Sequence, residues 1–252
     1  MTTPPDTERP AAAAGAAAQA EAQAMAQRYA RRDQGRPPAG LPRYSPLRPE
    51  VWQTVQERQR TMLRLFDQLG WRDLSARRGL ELGCGAGDNL LELLRLGFAP
   101  EHLAGIELLP DRAAQARRRL PAALPVQAGD ALVATVAPGS LDLVLQSTVF
   151  TSVLDDAVQH DLAAAMWRWL KPGGGVLWYD FTVDNPRNPD VRGVPLRRVR
   201  ALFPHGSLWH RRVTLAPPLA RAVCAWHPGL YPLFNALPFL RTHILAWIAK
   251  PA

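Results

Sequence analysis

From residue 79 to residue 181, short apolar runs alternate with amphipathic stretches. The runs at 80–82, 103–107, 124–127, 141–146 and 175–181 are too short for buried helices and read as strands. Helical stretches lie between them at 89–96, 111–120 and 155–170. Such alternation predicts parallel strands with helices on both faces of the sheet. Upstream, Val51, Val55, Met62, Leu63, Leu65, Phe66 and Leu69 fall on a helical period that Gly70 stops. Beyond Phe181 the pattern loosens. A loop rich in Asn and Pro over 184–194 leads to a short helix near 196–202 and a strand near 208–215. A Pro-broken apolar segment, 217–240, precedes a last strand at 242–248, and there is no internal repeat.

The flanking composition divides the chain into three. Residues 1–27 are rich in Ala, Pro and Gln and are expected to be a disordered or weakly helical tail. Residues 28–50, with Tyr29 and Tyr44 among arginines and prolines, are expected to form an extended arm over a domain spanning 51–252. Within that domain, 217–240 reads as a substrate or lid insertion, as a surface reaching a lipid-linked acceptor, or as a plain helix beside the last strand. Apolar residues make up 47% of the 252, enough for a sizeable core. No run reaches eighteen uninterrupted apolar residues, so no membrane-spanning helix is expected. The N-terminus lacks a basic stretch followed by an apolar core, so no secretory signal is expected either. Two cysteines, Cys84 and Cys224, make no disulfide framework and fit a reducing cytoplasm, with peripheral contact at the inner membrane left open.

The net charge of +8 raises the question of nucleic acid. Only Lys171 and Lys250 are lysines, and the arginines are spread along the chain, as in the coding bias of a GC-rich genome. Arg117, Arg118 and Arg119 sit on an expected outward helix face, and the charge as a whole argues against a nucleic-acid groove.

Three glycines at alternate positions, Gly83, Gly85 and Gly87, follow a strand and open a helix. Missing side chains let the backbone turn sharply and approach a ligand, and the helix N-terminus offers N–H groups and a positive dipole end. A dinucleotide turn wants Gly or Ala at its sixth place. Here that place is Asp88, whose charge would oppose a pyrophosphate; a cofactor with one carboxylate and a cationic sulfonium fits better.

Glu81-x-Gly83-x-Gly85-x-Gly87 resembles the first motif of class I S-adenosylmethionine-dependent methyltransferases, and the spacing downstream agrees. Glu107, twenty residues after Gly87, resembles the family's acidic residue that accepts both ribose hydroxyls. Gly129-Asp130-Ala131 resembles the place where an Asp accepts the adenine amino group. The run Leu141 to Gln146 resembles the fourth strand, and Leu170-Lys-Pro-Gly-Gly174 the turn into the fifth. The resemblance covers about 51–180 by motif and the remainder by order of elements. It implies an α/β, Rossmann-like seven-stranded mixed sheet with helices on both faces. It also implies a cofactor site of Glu81, Gly83, Cys84, Gly85, Ala86, Gly87, Glu107, Leu108, Asp130, Ala131, Gln146 and Ser147. Cys84 is expected to contribute backbone, not a nucleophile.

The acceptor pocket should lie beyond the carboxyl ends of the strands, near Gln146, Ser147, Thr148, Phe150, Tyr179, Asp180, Phe181 and the 184–188 loop. Gln146-Ser147 stands where nucleic-acid enzymes carry an Asn/Asp-Pro-Pro-Tyr/Phe tetrapeptide, which favours a small molecule or a glycan. Trp178 to Phe181, Asp184 to Gly193, Thr242 to Pro251, Tyr44-Ser45 and Gln56-Glu57-Arg58 are similar to methyltransferases of bacterial surface-polysaccharide gene clusters. Amide and guanidinium groups in the 184–193 loop suit a hydroxyl-rich or carboxylated acceptor, or simply shape the loop. An oxygen acceptor calls for a base, and Asp180 is the first candidate, then His160 or His205. No carboxylate cluster demands a metal. Tyr29, Arg31, Arg32 and Tyr44 are candidates to close over the cofactor. The reading is an O-methyltransferase acting on a sugar or other small metabolite. The alternatives are an RNA or protein methyltransferase, or a non-catalytic S-adenosylmethionine-binding scaffold.

Overall fold

A computed structural model describes residues 11–34, 41–42, 44–186 and 188–252. Two helices come first, α1 (Ala11–Gln34) and α2 (Pro49–Gln68). The alternating region then gives β1 (Gly79–Leu82), α3 (Asp88–Leu96), β2 (Leu103–Glu107), α4 (Pro110–Arg119), β3 (Val126–Ala128), β4 (Leu141–Ser147), α5 (Asp156–Trp169) and β5 (Leu170–Phe181). After it come α6 (Leu196–Leu202), β6 (Ser207–Leu215), α7 (Pro217–Trp226), α8 (Tyr231–Asn235) and β7 (Arg241–Ala249). The strands form a seven-stranded sheet in the order β3-β2-β1-β4-β5-β7-β6. β1 to β5 are parallel, and β7 runs antiparallel between β5 and β6.

The chain walks outward from β1 to β3 and returns to lay β4 on the other side of β1. That reversal opens a crevice at the carboxyl ends of β1 and β4, where open α/β sheets bind ligands. Each sheet face is covered, which is why the central strands are apolar throughout. One face packs on α5 and α6 through Leu162, Met166, Trp169, Val199 and Leu202. The other packs on α2, α3 and α4 through Leu65, Phe66, Leu90, Leu93, Ala113 and Ala116.

The N-terminal expectation needs correcting. From Ala11 the expected tail is helical, and the helix continues through the first seven residues of the expected extended arm. Ala, Gln, Met and Arg are strong helix formers, and 24 residues exceed the length at which such a helix is marginal alone. Tertiary contacts hold it: the Glu21 carboxylate accepts the Leu154 N–H at 2.8 Å and Arg28 donates to the Ser152 carbonyl at 2.9 Å. Residues 1–10 lie outside the described residues. The segment 217–240 forms α7, α8 and two short 3₁₀ turns around a small core of Leu215, Ala220, Cys224 and Tyr231.

Candidate functional site

At the carboxyl end of β1 the backbone enters the left-handed region at Gly83 (φ 70°), Gly85 (φ 55°) and Gly87 (φ 86°). The three glycines do different work. A Cβ on Gly83 would stand 2.5 Å from Val149, and one on Gly87 would stand 2.9 Å from Leu120, so packing excludes a side chain at both. Above Gly85 nothing lies within 4 Å. Gly85 therefore presents bare backbone to open space, as a ligand cradle requires.

Glu107, at the end of β2, is 6% exposed and anchors that turn. One oxygen accepts the Gly85 N–H at 2.8 Å and the other the Leu109 N–H at 2.9 Å. Each carboxylate oxygen has capacity for a further donor. Leu108 thus sits between two residues pinned to the same neighbourhood. Asp130, after β3, uses one oxygen to accept the Leu132 N–H at 2.9 Å and caps the 3₁₀ turn Ala131–Val133. Asp88 turns outward and pairs with Arg119 at 2.5 Å, while Arg119 also donates to the Ala86 carbonyl. The Cys84 thiol is buried below Gly105, and desolvation holds its pKa far above the ordinary thiol range, which suits a packing role.

Beside the glycine turn, α2 and α3 roof a cavity over the sheet face that carries Leu145, Ser147, Tyr179 and Leu245. Ser147, Tyr179 and Leu245 stand in one row across β4, β5 and β7. The roof supplies Arg58, Met62, Asn89, Glu92 and Leu93. Arg58 pairs with Glu92 at 2.8 Å and stacks over the Tyr179 ring at 5.1 Å. Glu81 is fully buried on the same face, and Asn89 donates to one of its oxygens at 2.5 Å. Desolvation raises the Glu81 pKa to about 8, with Asn89 and Arg58 opposing. The other oxygen of Glu81 and one of Glu92 are buried without a partner. The unpartnered oxygens of Glu81 and Glu92 leave buried acceptors unfilled on this face, a set that fits a ligand bringing hydrogen-bond donors and positive charge.

A second network continues outward. The Tyr179 hydroxyl meets Thr214 Oγ1 at 2.8 Å, and Thr214 donates its N–H to Glu57 at 2.9 Å. Tyr231 also donates to Glu57, at 3.3 Å. Thr214 (φ 65°) and Thr148 (φ 58°), the latter just past Ser147, are the non-glycine residues with positive φ among the described residues. A left-handed threonine costs about 1–3 kcal/mol and persists only where its surroundings over-determine it. His243 stacks on Tyr179 with ring centroids 5.1 Å apart, and burial, then Arg58, lowers its pKa to about 4. It is a neutral imidazole at pH 7.

Of the sequence-based candidates, Glu81, Gly83–Gly87, Glu107, Leu108, Asp130, Ala131, Gln146 and Ser147 lie at or just beyond the carboxyl ends of β1 to β4, with the Gln146 side chain on the face opposite to Ser147. The three candidate bases do not share the crevice. Asp180 is adjacent in sequence to Tyr179, but side chains alternate along a strand, so it faces the opposite side of the sheet. There it is fully buried, bonded to the Thr151 and Phe181 N–H groups, with burial raising its pKa to about 7. Asp180 thus braces the turn after β4. His160 is exposed on the outer face of α5 against Arg198. His205 precedes β6, whose Ser207 pairs with Ala249 beside Gly175, at the amino end of β5 and far from the crevice. In the loop after Asp184, Asp184 accepts the Gly193 N–H and Asn188 accepts the Asp190 N–H, the loop-shaping alternative, while Asp190 and Arg192 pair outside the loop with Arg31 and Asp156. Arg187 and the side chain of Arg32 lie outside the described residues.

Sequence reasoning did not single out Glu92 or Thr214; it took Tyr231 only as part of the 217–240 segment, and Glu57, Arg58 and His243 only as part of a family likeness. A signal existed for Glu57: Glu57, Thr61 and Leu65 follow at four-residue spacing, so two polar groups ride the buried stripe of α2. No comparable pattern marks Glu92, Thr214, Tyr231 or His243.

α1 crosses the crevice mouth. Arg28 donates to the Ser152 carbonyl at 2.9 Å, the Tyr29 hydroxyl lies 3.3 Å from Ser152 Oγ, and Arg112 of α4 stacks on the Tyr29 ring at 4.3 Å. Arg31 reaches Asp190 at 3.1 Å, whereas Tyr44 is 75% exposed. The helix therefore ties the turn after β4 to the first turn of α4.

Residues 80–174 match a family model described as "Methyltransferase domain". The chain is 31% identical over 168 residues to trans-aconitate 2-methyltransferase of Afipia carboxidovorans, a match covering 61% of each chain. It spans less than two thirds of the length of the curated relatives it matches, 61% and 35%. Among solved structures it is similar to geranyl diphosphate C-methyltransferase of Streptomyces coelicolor, with TM-score 0.55 and 18% identity, covering 83% of this chain and 82% of that one. A S-adenosylmethionine-dependent methyltransferase of Archaeoglobus fulgidus gives TM-score 0.55 at 14% identity, covering 77% and 96%. The architecture is the class I methyltransferase fold, a Rossmann-like seven-stranded mixed sheet.

Proposed function

We propose that this chain is an S-adenosylmethionine-dependent methyltransferase acting on a small molecule. The observation that carries the reading is the Glu107 carboxylate bonded to the bare Gly85 backbone, beside a buried, unpartnered Glu81 oxygen. S-adenosylmethionine, when bound, supplies an electrophilic methyl on a sulfonium. Glu107 would take the ribose hydroxyls on its remaining acceptor capacity, and Asp130 the adenine amino group. Glu81 and Asn89 would hold the ammonium end, with the Gly85 cradle beneath it. Ser147, Tyr179 and His243 then border the face from which an acceptor approaches. Methyl transfer needs alignment and exclusion of water more than covalent help from the protein. His243 stacks on Tyr179 and so borders this face, unlike Asp180, His160 or His205, but burial makes it a weak base, so positioning carries more weight than general-base help.

The cavity between α2, α3 and the sheet encloses about 10 Å³. That is room for about one water, against about 300 Å³ or more for a small-molecule pocket. An acceptor therefore enters by displacing the Arg58 side chain or shifting α2. A sugar acceptor draws less support than a small molecule in general, because the 184–193 loop spends its Asp184 and Asn188 side chains on its own backbone.

The test is to incubate the protein with methyl-labelled S-adenosylmethionine and cell extract, then separate small molecules, glycan, protein and RNA. Label in the small-molecule fraction is the expected result. Label confined to RNA or protein would overturn the acceptor class, and no cofactor binding by calorimetry would overturn the reading entirely.

A further inference from the structure

The arginines are spread along the chain, but the carboxylates are not. Residues 191–252 contain nine Arg and Lys and no Asp or Glu. With 30 basic and 22 acidic residues in all, the first 190 residues are one charge to the negative side, and the whole positive excess sits in the last 62.

That acid-free last quarter also exposes large apolar side chains. Trp226 is 83% exposed, Phe239 75% and Leu233 66%, all within fourteen residues of the α7–α8 segment. Its small core takes Leu215, Ala220, Cys224 and Tyr231, which leaves these side chains outside. Cations flank them. Arg221 is exposed on α7, and Arg241, next after the second 3₁₀ turn, donates to the Asn235 carbonyl of α8 and the Arg212 carbonyl of β6. Protruding aromatic and aliphatic groups on a segment whose own charges are all positive suit a lipid interface: the apolar tips enter the acyl boundary while arginines meet anionic headgroups.

We infer that the α7–α8 segment docks this protein on an anionic membrane surface. The partner is a bilayer rather than RNA because the aliphatic Leu233 and Leu237 are exposed beside Trp226 and Phe239, and aliphatic groups offer no stacking face to bases. The docking element is also wired to the cavity. Tyr231, buried at its base, bonds Glu57, which holds Thr214, which holds the Tyr179 hydroxyl. A docked protein would therefore present the Tyr179 end of the cavity close to the bilayer, where an acyl-bearing or prenyl-bearing acceptor resides. The docking itself does not depend on the proposed methyl transfer.

Co-sedimentation of the full chain with vesicles of phosphatidylcholine, or of phosphatidylcholine and phosphatidylglycerol in equal parts, tests it. Binding to the anionic vesicles is expected to be at least about tenfold the stronger, with a blue shift of tryptophan fluorescence. Trp226→Ala with Phe239→Ala should weaken it about tenfold or more, and Arg221→Ala about fivefold. Both variants change exposed residues, and unchanged thermal unfolding confirms their fold. Equal partitioning of the double variant and the parent, or no binding to anionic vesicles, overturns the inference. So does a binding to single-stranded RNA that the double variant loses, or a dimer whose interface shields Trp226.

Discussion

Removing Arg58 should cost far more than its single ion pair suggests. The guanidinium lies 2.8 Å from Glu92, with side-chain exposures of 14% and 11%. At that distance the gross attraction is about 6 kcal/mol for an effective dielectric constant of about 20. Dehydrating both groups offsets most of this, so the pair as a whole contributes little to stability. Its halves are another matter. Arg58→Leu leaves Glu92, which already has one unpartnered oxygen, with none of its charge compensated, and withdraws the cation that lowers the Glu81 pKa. The expected loss of unfolding free energy is about 3–5 kcal/mol, against about 1 kcal/mol or less for Arg58→Leu with Glu92→Leu, which fills the space with apolar groups. The assay is a double-mutant cycle from urea unfolding of four proteins at pH 7 without ligand. A coupling energy of at least about 2 kcal/mol is expected, with weak dependence on salt because the pair is buried. A coupling below about 0.5 kcal/mol, the range of solvated surface pairs, would refute the reasoning and mean that water enters the cavity freely.

Four further outcomes follow from the same geometry. Glu107→Gln should weaken S-adenosylmethionine binding about ten- to a hundredfold by calorimetry, since hydrogen bonds to a charged group are worth about 1.5–3 kcal/mol; unchanged affinity would remove Glu107 from the ribose site. Gly85→Val should cost about 1–2 kcal/mol of stability through its left-handed φ, yet abolish cofactor binding by filling the open cradle. Arg28→Ala, which frees α1 from the Ser152 carbonyl, should raise the cofactor dissociation rate in stopped-flow measurements, and an unaltered rate would deny α1 a retaining role. The pH dependence has a definite sign. Asp180 (about 7) and Glu81 (about 8) are raised above the ordinary carboxylate value, so the folded chain holds more protons than the unfolded one between about pH 4 and 8. Stability is lost as pH rises through that window, while His243, lowered to about 4, opposes this only below about pH 6.5. The urea midpoint of the ligand-free protein should thus fall from pH 6.5 to 8.5, and Asp180→Asn should flatten the first part of the fall; a midpoint that rises would contradict the buried carboxylates.

Local pattern alone decided much of this protein. A strand followed by Gly83, Gly85 and Gly87, then acidic residues at the next two strand ends, fixes where the backbone can bend and which groups reach the crevice. Those constraints act over a few residues, so spacing records them. The alternation of apolar runs decided the five parallel strands for the same reason, and the boundaries of β2 and β4 are readable to within one residue, whereas β5 begins at Leu170, five residues before its expected start. The N-terminal stretch read as either a disordered tail or a weak helix because an alanine-rich stretch is equally good as both until something holds it, and Leu154, 133 residues away, does so. Asp180 looked like an acceptor-side base since it ends a strand, but the two-residue alternation set by the pairing of β5 with β7 turned it to the other face. The charged roof of the cavity was decided by tertiary structure alone. Arg58, Glu92, Tyr179, Thr214 and His243 come from five separate elements, and only the sheet order that brings β7 between β5 and β6, with α2 laid across it, makes them neighbours. The cofactor site is written in local spacing, whereas the acceptor end exists only through contacts between distant segments.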